Sequence, residues 1–101
     1  MIIAEVTLTP LGVGTSVSRY VKVAFESLKE SGLKLLLTPM STVLEANSLD
    51  EIFEAVKRAE EAMLNAGAKR VIIDLKVDHR IDKEATMEKK ISAIKSKNVH
   101  K

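Results

Sequence analysis

The chain has 101 residues, 46% of them hydrophobic, which suits one small globular domain and leaves no room for a second of ordinary size. A net charge of +2 gives no strong pull toward nucleic acid or membrane, and the absence of Cys excludes disulfides, thiol chemistry and thiolate-bound metal. The charge is uneven: residues 80–101 carry net +4 and residues 1–79 net −2, a basic appendage on a mildly acidic body. No apolar run approaches the length of a membrane span, and no signal-peptide pattern opens the chain, so a cytoplasmic location is expected.

Residues 2–9, "IIAEVTLT", alternate with period two. Ile2, Ala4, Val6 and Leu8 take one face of a strand, and Ile3, Glu5, Thr7 and Thr9 the other. Pro10, Gly12 and Gly14 break the pattern. Ser16 is placed to cap a helix whose apolar stripe is Val17, Val21, Ala24, Phe25 and Leu28, ending at Ser31-Gly32. "LKLLLT" reads as a second strand with Leu33, Leu35 and Leu37 on the core side, and Pro39-Met40 as a turn into a third, "STVLEA". Ser48-x-x-Glu51 is a capping box opening a second helix, with Ile52, Val56, Ala59 and Met63 on one face and Gly67 at its end. "RVIIDLKVD" is a fourth strand with Val71, Ile73, Leu75 and Val77 toward the core, and residues 83–96 form a charged third helix with a stripe of Met87, Ile91 and Ile94.

The order βαββαβ plus a terminal helix predicts an α+β, ferredoxin-like sandwich: a four-stranded antiparallel sheet, two helices on one face, and a C-terminal helix. Residues 1–81 are expected to form this ferredoxin-like domain, and residues 82–101 its basic C-terminal helix or tail. The helix-free face would carry Ile3, Glu5, Thr7, Leu36, Val43, Glu45, Ile72 and Asp74. That mixture is too apolar to be left wet, so it calls for a partner subunit or for the terminal helix as cover.

This topology brings the end of strand one, the glycine loop, the start of helix one and the Thr38–Thr42 turn to one edge. Ser16 and Ser18 are expected near Thr38, Ser41 and Thr42, around free N–H groups that suit a ligand oxygen or an anion. The same residue types are also normal in caps and turns. Tyr20 is placed beside this edge, either to stack on a ring or as a half-buried boundary residue. Glu45 and Glu5 share the open face, where carboxylates need donors from a Lys, an Arg or a cationic ligand. Asp78 and Arg80, flanking His79, are candidates for an ion pair across a subunit boundary.

No catalytic set can be assembled from His79, His100 and the serines, and no metal site can be filled, so an enzyme is not expected. There is no phosphate-binding G-x-x-x-x-G-K-[ST], and "GVG" at 12–14 lacks the third glycine of a dinucleotide fingerprint. The strands carry no aromatic for stacking bases, which argues against an RNA-binding sheet.

"AEVTLTPLG", Ser18-x-Tyr20, "PMSTVLEA" and "VDHR" together resemble the thiamine-binding (YkoF-like) proteins, over roughly residues 2–81. The resemblance implies the same ferredoxin-like fold, association as dimers or tetramers through the sheets, and binding of thiamine or its hydroxymethylpyrimidine part without chemistry or cofactor. The polar edge and this resemblance together point to ligand contacts from Ser16, Ser18, Tyr20, Thr38, Ser41, Thr42 and Glu45, and the open face and the charges around His79 point to subunit contacts from Glu5, Val43, Asp78 and Arg80. Ser41-Thr42 stands where the family pattern usually has Gly-Thr, and Glu45-Ala46 where it often has Glu-Gly, so the pocket is narrowed by bulkier neighbours. The other reading is an oligomeric structural or regulatory domain that senses another small molecule or an anion.

Overall fold

The protein is described by a computed structural model covering residues 1–99, with side chains to Lys95; His100 lies outside the described residues. The elements are β1 (Ile2–Pro10), α1 (Val17–Glu30), β2 (Lys34–Leu37), β3 (Thr42–Ala46), α2 (Leu49–Asn65), β4 (Val71–Asp78) and α3 (Met87–Val99). The four strands form one antiparallel sheet in the order β2-β3-β1-β4. This is the ferredoxin-like arrangement that the sequence predicts.

Strand alternation builds the core. Ile2, Ala4, Val6 and Leu8 of β1 and Leu44 and Ala46 of β3 pack against Ala24 and Leu28 of α1 and Ile52, Ala55, Val56, Ala59 and Met63 of α2. The capping box of α2 forms as read: the Ser48 hydroxyl accepts the Glu51 N–H at 3.3 Å, and the Glu51 carboxylate accepts the Ser48 N–H at 3.1 Å. Ser16 does occupy the N-cap of α1, yet its hydroxyl makes no capping bond. Its backbone lies at φ −89°, ψ 15° instead of the extended conformation that aims a cap side chain at the first turn.

Register sets the shape of the sheet edge. β1 pairs with β4 from Ile3 to Pro10 but with β3 only from Ile2 to Val6. The Leu11 N–H donates to the Arg70 carbonyl at 2.9 Å, continuing the β4 ladder, so odd-numbered peptide groups of β1 face β4 and even-numbered ones face β3. Beyond Val6 the β3 side of β1 has no strand partner, because the β2–β3 hairpin has already turned.

Several sequence expectations need correction. Leu37 was expected on the core side but is 61% exposed, since no helix covers that end of β2. Ile73 was likewise assigned to the core and is exposed, as β4 is an edge strand. The third helix starts at Met87, not at 83. Thr86 sets that start: its hydroxyl accepts the Lys89 N–H at 3.1 Å. The C-terminal segment covers part of the open sheet face, where Ala85 and Met87 bury Ile3 and pack on Val43. The stripe then leaves the sheet, with Ile91 and Ile94 exposed.

Leu44 is fully buried at the centre of the core. Leu44→Ala is expected to lower the unfolding free energy by about 2–5 kcal/mol. Ser48→Ala should cost about 1 kcal/mol. Urea denaturation followed by circular dichroism checks both, and near-equal losses would contradict this assignment of the core.

Candidate functional site

The step between β1 and the β2–β3 hairpin opens a groove of about 260 Å³ on the helix side of the sheet. Its floor is β1 from Val6 to Thr9 together with Thr42, one wall is Val21, Ala24, Phe25 and Leu28 of α1, and the other is Leu37 to Ser41. The lining is mostly apolar. Phe25 is half-buried, with the Lys29 ammonium 5.9 Å from its ring centroid, and Met40 on the other wall is 84% exposed.

The polar residues of the opposite wall divide into structural and free groups. The Thr38 hydroxyl accepts the N–H of Met40 at 3.2 Å and of Ser41 at 2.9 Å. It also lies 3.0 Å from the Ser41 carbonyl, to which it donates. The Thr38 N–H bonds the same carbonyl at 2.9 Å. Thr38 therefore closes the turn and has little capacity left for a ligand. The Ser41 hydroxyl donates to Glu5 Oε2 at 2.9 Å, tying the turn to β1 across the open face. Thr42 takes no part in this network. Only 8% exposed, it stands on the core side of β3 and forms part of the groove floor.

The remaining predicted ligand residues fall outside the groove. Ser16 and Ser18 are exposed at the start of α1 and do not line it. Tyr20 is buried in the core, its ring 4.9 Å from the Arg19 guanidinium. Its hydroxyl lies so close to Gly67 that a Cβ there would stand 3.0 Å away, and Gly67 has φ +122°, so glycine is required twice over. Tyr20 does not line the groove. Phe25 lines the groove instead, a residue that its place in a helical apolar stripe makes indistinguishable from core in the sequence.

Glu45 belongs to a second cluster, on the open sheet face. It is 4% exposed, and its Oε2 has no hydrogen-bond partner among the described residues. The Lys34 ammonium lies 3.9 Å from that oxygen and hydrogen-bonds the Glu88 carboxylate in the first turn of α3. Lys34 thus links buried Glu45 to the terminal helix. Val43 lies under the same segment. Asp78 pairs with Lys90 of α3, and Arg80 with Asp82 at 2.6 Å. Each of these predicted interface charges has a partner within its own chain. Among the described residues no three His, Cys, Asp or Glu side chains are grouped to hold a metal, and no helix is long and apolar enough to cross a membrane.

The sequence profile of the family described as "Thiamine-binding protein" matches residues 4–95. The chain belongs to this family. Relatives of the same size include a UPF0045 protein of Methanothermobacter thermautotrophicus, 46% identical over 96% of this chain and 99% of its own. Another UPF0045 protein, from Methanocaldococcus jannaschii, is 50% identical over 92% of this chain and 91% of its own. A crystal structure of a hypothetical protein from M. jannaschii superposes with a TM-score of 0.85 at 49% identity, covering 93% of this chain and 95% of that one. A Thermotoga maritima structure, whose description suggests thiamine biosynthesis or salvage, superposes at 0.80 with 22% identity over 92% and 97% of the two chains, a likeness of fold alone. In this thiamine-binding family member, "AEVTLTPLG" is β1 with the loop that follows it, and "PMSTVLEA" runs from the groove wall into the Glu45 cluster.

The tether of α3 has a definite pH window. Hydrogen bonding from Lys34 holds the Glu88 carboxyl below its ordinary value, and Lys90 does the same for Asp78. Depressed carboxyls add stability above their ordinary range and lose it as pH falls through the folded-state values. Lys34, raised by its bond to Glu88, loses its contribution as pH rises through its folded-state value, above the ordinary 10.5. Acidification below about pH 4 is therefore expected to loosen α3 before the core unfolds. Met87 methyl NMR signals should shift while those of Met63 stay fixed; simultaneous loss of both would contradict it.

Proposed function

We propose that the groove binds thiamine or a related aminopyrimidine through the pyrimidine ring, and that the protein is a cytoplasmic binding protein with no chemistry of its own. The observation that carries this reading is a ring-sized, mostly apolar groove whose floor includes Thr42, a side chain with no hydrogen bond among the described residues, in a chain of the thiamine-binding family. Size decides which part of the ligand enters. Pockets for drug-sized molecules span roughly 300–1,000 Å³, and about 260 Å³ suits a single substituted heteroaromatic ring. The thiazolium would extend out of the groove past Met40. Phe25 supplies a face for stacking and Thr42 a hydrogen bond.

We further infer that copies associate through the open sheet face. Leu36 and Ile72 remain 44% and 42% exposed there, and Ile91 and Ile94 of α3 add a further apolar surface. The unpartnered oxygen of Glu45 lies beneath the same region.

Titration calorimetry with thiamine and with 4-amino-5-hydroxymethyl-2-methylpyrimidine tests the first reading. Both should bind. Thr42→Val should weaken binding by about tenfold, the worth of one hydrogen bond of about 1 kcal/mol or slightly more. Absence of heat for both ligands at millimolar concentration would overturn it. For the second, sedimentation should give a stable oligomer that Ile72→Lys shifts toward monomer; a wild-type monomer at micromolar concentration would contradict it.

A further inference from the structure

We infer that the ligand is read by main chain, at the single peptide rung of β1 left open by the end of β3: the Leu8 N–H and C=O. This rests on the groove-binding reading above and specifies how the ring is recognised.

Strand parity leaves this rung open. Even-numbered peptide groups of β1 face β3, and the last of them with a strand partner belong to Val6, opposite Thr42. Continuing that register, Leu8 would face Met40. Met40 lies in the turn instead, its N–H engaged by the Thr38 hydroxyl at 3.2 Å. Leu8 therefore presents a donor and an acceptor side by side, in the groove, with no strand opposite. The next even-numbered residue is Pro10, which has no N–H. The opening is one rung long.

That length selects the occupant. An added peptide strand gains affinity from a run of ladder bonds, and here only one rung is open, with the β2–β3 turn blocking its extension. A planar ring with an acceptor nitrogen beside an exocyclic amine needs one donor and one acceptor, both on the same side and in one plane. The extended peptide at Leu8 offers that pair. The 4-aminopyrimidine edge fits: its ring nitrogen accepts from the Leu8 N–H, and its amine donates to the Leu8 carbonyl. Phe25 on the α1 wall then lies against the face of the ring, and the Thr42 hydroxyl beside the same rung meets its substituents. A buried backbone pair discriminates sharply, because a ligand lacking one complement leaves a desolvated group unpaired. Main-chain recognition also explains why the side chains around this point are so ordinary.

The test is a titration of the full-length, ¹⁵N-labelled protein with 4-amino-5-hydroxymethyl-2-methylpyrimidine and with its analogue lacking the 4-amino group. With the amino compound, the Leu8 amide proton should move downfield and exchange more slowly with solvent. The desamino compound should bind about tenfold or more weakly, since it leaves the Leu8 carbonyl without a donor. If both bind equally and the Leu8 amide is unmoved while Phe25 and Thr42 signals shift, main-chain reading is overturned and groove binding stands. If neither compound perturbs any groove signal, the groove reading itself fails, and this inference with it.

Discussion

The register step between β1 and β3 is the constraint on which the other features depend. β1 runs on through Pro10 against β4, while β3 begins only opposite Val6. A hairpin with a longer β3 would fill the step with backbone and abolish the groove. The hairpin is held short by Thr38, whose hydroxyl gathers two N–H groups and so closes a tight turn at Pro39-Met40. The pocket is thus a by-product of where one turn is placed, and its apolar wall is the part of α1 that the shortened hairpin leaves uncovered.

The stretch from Thr38 to Glu45 joins two regions with different physics. At its start, hydroxyl groups shape the turn and border a small apolar groove. At its end, Glu45 is buried on the opposite face, its charge offset by Lys34, which also holds the first turn of α3 through Glu88. A buried carboxylate with one partner at 3.9 Å is an expensive feature unless further donors reach it. The association proposed for the open face gives such a donor a place to come from, so ligand groove and subunit contact would be joined by four residues of β3.

Much of this was legible in the sequence. The period-two run at 2–9, the Ser48–Glu51 box and the glycines between elements fixed the order of elements and the ferredoxin-like topology, because those signals are local. What was not legible depended on long-range geometry. Tyr20 and Phe25 look alike as aromatics on a helix, and only the packing of α1 buries the first against Gly67 and leaves the second on the groove wall. Ser16 and Ser18 lie exposed at the start of α1, outside the groove lining. The open rung at Leu8 has no side-chain signature at all. It appears only when the pairing registers of two different strand pairs are compared.

The most direct measurement of the central claim is the position of the pyrimidine in the complex. Intermolecular nuclear Overhauser effects from the 2-methyl group of bound thiamine should reach the Phe25 ring and the Thr42 methyl group, with none to Ser16 or Ser18. Contacts confined to the start of α1, or to the open face around Glu45, would contradict the account and move the site out of the step between β1 and β3.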